Sequence, residues 1–130
     1  LTMKKRVFAL FTLLTLSACS TSVPIRNFDS NPVPTVANKS HNLKSIENDI
    51  LKACMKLGWT CRANQEGKVL GTLDIRKHQL RVEISFNEKE YSIDYKDSIN
   101  LDYDGKKIHR QYINWVTNLM RNIDAELAYQ

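Results

Sequence analysis

Between Trp59 and Tyr95 the chain alternates apolar and polar residues over four successive stretches, and this period-two pattern constrains its fold more than any other feature. Successive side chains of a strand point to opposite faces, so such alternation requires a sheet with one covered and one open face. Trp59, Cys61 and Ala63 begin the pattern, and Val69, Gly71, Leu73 and Ile75 continue it. Leu80, Val82, Ile84 and Phe86 form the third set, and Tyr91, Ile93 and Tyr95 the fourth. Gln65-Glu66-Gly67 suits a hairpin loop with glycine in the left-handed region. Further turns are expected at Lys77-His78 and near Asn87-Glu88-Lys89. A two-residue turn at Lys77-His78 pairs Ile75 with Leu80 and sets Asp74 opposite Arg81; one at Asn87-Glu88 brings Asp94 to Arg81 from the other side. Opposite charges across strands contribute only a few tenths to about 1 kcal/mol, but they support the register. On an open sheet face a carboxylate–arginine group is far more often structural than catalytic.

One apolar sheet face needs a cover, and two one-faced helices can supply it. Leu43, Ile46, Ile50, Cys54 and Leu57 fall at helical spacing and predict a helix over 43–57, with Asn42 as N-cap and Gly58 just past the end. After a turn at Asp104-Gly105, Ile108, Tyr112, Trp115 (with Val116), Leu119 and Ile123 predict a second helix over 107–127. The expected fold is α+β: a four-stranded antiparallel meander with N- and C-terminal helices packed on one face, in the order α-β-β-β-β-α, over residues 43–130.

The N-terminal part reads differently. Lys4-Lys5-Arg6 precedes an apolar run from Val7 to Leu16, broken only by Thr12 and Thr15. That run has the length of a secretory signal core and is too short to cross ~30 Å of hydrocarbon. Leu16-Ser17-Ala18-Cys19 follows, and this order resembles the lipobox of bacterial lipoprotein precursors, read by lipoprotein signal peptidase. The resemblance implies a signal peptide over 1–18, lipidation of Cys19, and a membrane partner reached through the lipid. Several acyl chains are the rule there, because one chain alone binds a bilayer only marginally. The alternative is an ordinary secretory signal with a chance cysteine. Residues 19–42 read as the lipidated cysteine and a flexible tether: they are rich in Ser, Thr and Asn, hold Pro24, Pro32 and Pro34, and show no apolar period. As a coil such a tether spans roughly 25–30 Å. Ser20, where an aspartate would favour inner-membrane retention, resembles the outer-membrane pattern facing the periplasm.

Cleavage at Cys19 changes two arguments. Of nineteen basic and fourteen acidic residues, the first eighteen positions hold three basic and no acidic ones. The mature chain therefore keeps sixteen against fourteen, so the whole-chain pI of 9.2 gives no ground for a nucleic acid partner. Of the three cysteines, lipidated Cys19 leaves an even pair, Cys54 and Cys61, in an oxidising compartment, where a disulfide is expected. The alternative is a buried free thiol at Cys54.

Motifs for a phosphate loop, a dinucleotide turn, H-E-x-x-H or G-x-S-x-G are missing from the sequence, so no cofactor, metal or catalytic residue is assigned. The densest polar and aromatic stretch runs from Tyr91-Ser92-Ile93 through Tyr95, Ser98, Asn100, Leu101 and Tyr103 to Ile108-His109-Arg110, Tyr112 and Trp115. With Gly58-Trp59 it resembles small bacterial lipoproteins of unknown function, which supports the domain and adds no chemistry. Ser98, Asn100, His109, Arg110 and Tyr112 form a candidate binding cluster between the fourth strand and the second helix. The alternative, favoured by helical spacing at Tyr112 and Trp115, is that these residues serve structure. The function expected is a membrane-anchored, non-enzymatic interaction module with an envelope protein partner; the alternatives are a passive structural lipoprotein or a small envelope hydrolase.

Overall fold

A computed structural model of the chain describes residues 21–129. The lipobox residues, Cys19 and the segment before them lie outside the described residues.

The expected meander is present. Strands β3 (Thr60–Gln65), β4 (Lys68–Ile75), β5 (His78–Phe86) and β6 (Glu90–Ile99) follow one another in sequence and in space, all antiparallel. Alternation works as anticipated: Val69, Leu73, Leu80, Val82, Ile84, Tyr91 and Ile93 are all buried on the inner face. The first helix, α1 (Leu43–Lys56), starts at Asn42, whose side chain accepts the Ser45 N–H at 2.8 Å while Ser45 Oγ accepts the Asn42 N–H at 2.9 Å. This reciprocal pair satisfies two of the amides that a helix start leaves open. Its end is closed by Gly58 at φ +77°, which lets the Gly58 and Trp59 amides return to the Met55 and Cys54 carbonyls. That reversal carries the chain directly into β3, so Cys54 and Cys61 come together and form a disulfide.

The sheet has five strands, which corrects the expected four. β2 (Phe28–Pro32) adds to the free edge of β6, giving the order β2-β6-β5-β4-β3. β1 (Ser22–Pro24) pairs with β7 (Lys107–His109) in a separate two-stranded sheet. β1 and β2 both come from the stretch expected as a flexible tether, so the fold takes up this segment too, and the domain is not confined to 43–130. Asparagines do much of the work. Asn27 Oδ1 accepts the Tyr95 N–H at 2.9 Å, and Asn31 Nδ2 donates to the Phe28 and Tyr91 carbonyls at 2.9 and 3.0 Å. These side chains stand in for ladder bonds around a bulge in β2 and let Phe28 reach the core at 5% exposure. Lys39 fastens the rest: its ammonium donates to Asp49 of α1 at 3.1 Å and to the Glu126 and Tyr129 carbonyls at 2.8 Å each. Those carbonyls belong to the end of the second helix, α2 (Gln111–Ala128), where a cation complements the helix dipole. Buried Glu126 also pairs with Lys56.

Two local expectations are also corrected. α2 begins at Gln111, because residues 107–109 pair with β1 instead of opening the helix. The β4–β5 turn falls at Arg76-Lys77, with Ile75 opposite His78 and Arg76 at φ +54°. Asp74 consequently faces Gln79 and bonds it at 2.8 Å, and Asp94 faces Glu83. Arg81 finds its carboxylate in Asp97, at 3.0 Å, across a bulge in the β5–β6 ladder. A single hydrophobic core gathers the inner sheet face, the buried stripes of both helices, Phe28 and Ile108.

Candidate functional site

The five residues of the predicted cluster separate into three roles. Tyr112 is wholly buried: its hydroxyl donates to the Arg26 carbonyl at 2.7 Å, its ring meets Phe28 and Tyr95, and burial pushes its ionisation above the ordinary range. Ser98 Oγ lies 2.7 Å from the Tyr95 hydroxyl and serves the end of β6. Asn100 and His109 tie in next to the β4–β5 turn, and Arg110 follows His109 in the chain; of the three only His109 lines the cleft there. Asn100, at φ +57°, donates to the Lys77 carbonyl at 2.7 Å, and its own carbonyl lies 2.6 Å from His78 Nδ1. The His109 amide donates to the Leu101 carbonyl, and the Arg110 amide donates to the Thr21 carbonyl, both at 2.8 Å.

These bonds frame a cleft of about 380 Å³. Its walls are Ile75, Arg76 and His78 from the hairpin, Leu101, and then His109, Gln111 and Trp115 around the start of α2. His78 and Trp115 face each other at 6.3 Å between ring centroids. A guanidinium, two imidazoles and an indole around an apolar floor can hydrogen-bond an anionic or polar group and pack against a flat one. His109 Nδ1 accepts the Gln111 N–H at 3.1 Å, Ser98 is engaged with Tyr95, and Asp97 is engaged with Arg81. The groups that a hydrolytic reading would join to His109 are thus each bonded elsewhere.

Of the cleft's lining, only His109 had been singled out as a binding residue. Arg76 belongs by sequence to the open polar face with Arg62, Arg81, Glu83, Asp94 and Lys96, and the structure places it at the cleft instead. His78 was assigned to the turn, yet it begins β5 and points its ring at Trp115. No sequence motif marks this set, since its members come from two separate stretches, 75–78 and 101–115, and from four elements within them.

The open face of the sheet is a charged surface. Arg81–Asp97 and Lys68–Glu83 (3.6 Å) pair across strands, whereas Asp29, Glu83 and Asp94 crowd together. Asp94 is held above the usual carboxylate range, first by burial and then by the hydrogen bond to Asp29 and the charges of Asp29 and Glu83. Among the described residues no group of three or more His, Cys, Asp or Glu is arranged to hold a metal ion, and no helix is long and apolar enough to cross a membrane. Compared with family models, curated proteins and solved structures, the chain matches none.

Proposed function

We propose that this chain is a membrane-anchored lipoprotein of a bacterial envelope whose domain acts as a non-enzymatic binding module. The order Lys4-Lys5-Arg6, apolar run, Leu16-Ser17-Ala18-Cys19 carries the reading, because charge, length and cleavage signal occur in the sequence a lipoprotein precursor requires. The Cys54–Cys61 disulfide fits it, since such bonds persist in oxidising compartments. With Ser20 after the cysteine, the location that follows is an outer membrane, facing the periplasm. The cleft at Arg76, His78, His109 and Trp115 is the surface we assign to binding, and an envelope protein is the partner class.

The anchor is tested by feeding cells a labelled fatty acid and measuring the mass of the mature N-terminus. Label on the wild type and its loss in Cys19→Ser are expected; an unlabelled wild type sinks the reading. The binding role is tested by in-cell crosslinking. A partner captured by the wild type and lost on His109→Ala or Arg76→Ala supports it. The internal use of Ser98, Asn100 and Tyr112 favours a second reading, a passive structural lipoprotein, under which those surface changes leave both capture and envelope integrity unaltered.

A further inference from the structure

The chain enters the fold at Thr21, whose carbonyl accepts the Arg110 N–H, and Ser22 already lies opposite His109. Only Ser20 stands between that point and Cys19. Two Cα steps, about 7 Å, therefore separate a lipid-bearing cysteine from folded backbone. A domain on so short a connection has one end held at the bilayer surface.

That end is defined by its neighbours. Arg110 follows His109, which shares the cleft with Arg76 and His78, so the attachment point sits beside the β4–β5 hairpin. The β3–β4 turn with Glu66 is at the other end of the eight-residue β4, roughly 26 Å away at strand rise. The β5–β6 turn is there as well, since the Phe86 amide donates to the Gly67 carbonyl at 2.9 Å.

Charge follows the same axis. At the near end Arg76, Lys77 and Arg110 are exposed, against the exposed acidic residues Asp74 and Asp102. At the far end the turns expose Glu66, Glu88 and Glu90, with Lys44, Lys68 and Lys89 around them. Half-buried Trp115 rims the near cleft, and indoles favour the headgroup region of a bilayer.

Resting on the reading that Cys19 is lipidated, we propose that the domain docks directly on an anionic phospholipid surface. Arg76, Lys77 and Arg110 lie against the headgroups and the acidic turns point away. Basic side chains near an anionic leaflet are attracted over about a Debye length, which suits exposed Arg and Lys at this end.

The test uses the full lipidated protein in vesicles of phosphatidylcholine, with and without phosphatidylglycerol, doped with a quencher lipid. A fluorophore is attached in turn to Gln111→Cys and Glu88→Cys, under conditions that keep the disulfide. Quenching several-fold stronger at position 111 than at 88, with a larger contrast when phosphatidylglycerol is present, is the expected result. Vesicle-bound protein with equal quenching at both positions overturns the orientation and leaves the anchor standing. A contrast unaffected by phosphatidylglycerol, or by Arg76→Gln with Lys77→Gln, overturns the role of anionic headgroups. Protein that carries no lipid and fails to float with vesicles overturns both the orientation and the lipoprotein reading.

Discussion

Lys39 and Asp94 show what single charged groups do in this fold. Lys39 holds three acceptors at once, and Asp49, one of them, is only 7% exposed. Lys39→Met keeps the stem but leaves a buried carboxylate and two helix-end carbonyls without their cation. It should lower unfolding free energy by about 2–3 kcal/mol in urea titration, the range for bonds to charged groups. Adding Asp49→Asn should recover part of that loss, since the orphaned charge is then gone. Asp94 works in the opposite sense. Its folded-state ionisation lies above the ordinary 3.8, so the folded protein holds this proton more tightly than the unfolded chain. The associated stability is present below the unfolded value and is lost as pH rises through the folded one. Asp94→Asn should therefore stabilise the protein at neutral pH by a few tenths to about 1 kcal/mol, as expected for relieving like charges across strands. The gain should shrink as pH falls through the folded value and be largely gone below the ordinary 3.8. Denaturation midpoints measured from acid to neutral pH would check both the sign and the window.

The disulfide sits between two elements whose signals were plain in the sequence. Cys54 ends the inward stripe of α1, Gly58 reverses the chain, and Cys61 begins the sheet pattern. Replacing both cysteines with alanine should cost about 2–2.5 kcal/mol, from the loop-closure entropy of a bridge spanning seven positions. Calorimetry of the double variant would measure it. α1 and the meander were legible because each depends on local periodicity and a capping or turn residue. The β4–β5 register was not, because moving the turn by one residue shifts each cross-strand partner by two and leaves the same faces buried, which alternation cannot tell apart. Between Ile75 and Gln79 there is no Gly, Asn or Asp to mark the turn, and Arg76 itself takes the positive φ. The start of α2 was misplaced for a related reason: Ile108 is in phase with the helical stripe, yet it is buried from β7. The site suffered accordingly. Composition points to His109, which lines the cleft, whereas Ser98 serves the end of β6 and Tyr112 is core.

At the level of the whole molecule, the segment before α1 is the main revision. Its Ser, Asn and Pro content hides two strands because their partners, β6 and β7, are distant in sequence, and its asparagine side chains supply hydrogen bonds that a strand pattern does not reveal. A chain beginning at Leu43 would lack Phe28, the β2 edge and Lys39. It should lose cooperative thermal unfolding by circular dichroism, whereas removal of a true tether would leave the transition unchanged. The pairing of β1 with β7 also has a kinetic side. Ser22 meets His109 far along the described chain, so among the described strand pairs this small sheet closes the longest loop. Contacts of such separation form late and slow the folding of a domain. During synthesis, β1 has no strand to pair with until β7 has emerged. That first strand therefore waits for most of the time the chain takes to appear, and only the arrival of the last strand draws it into the fold.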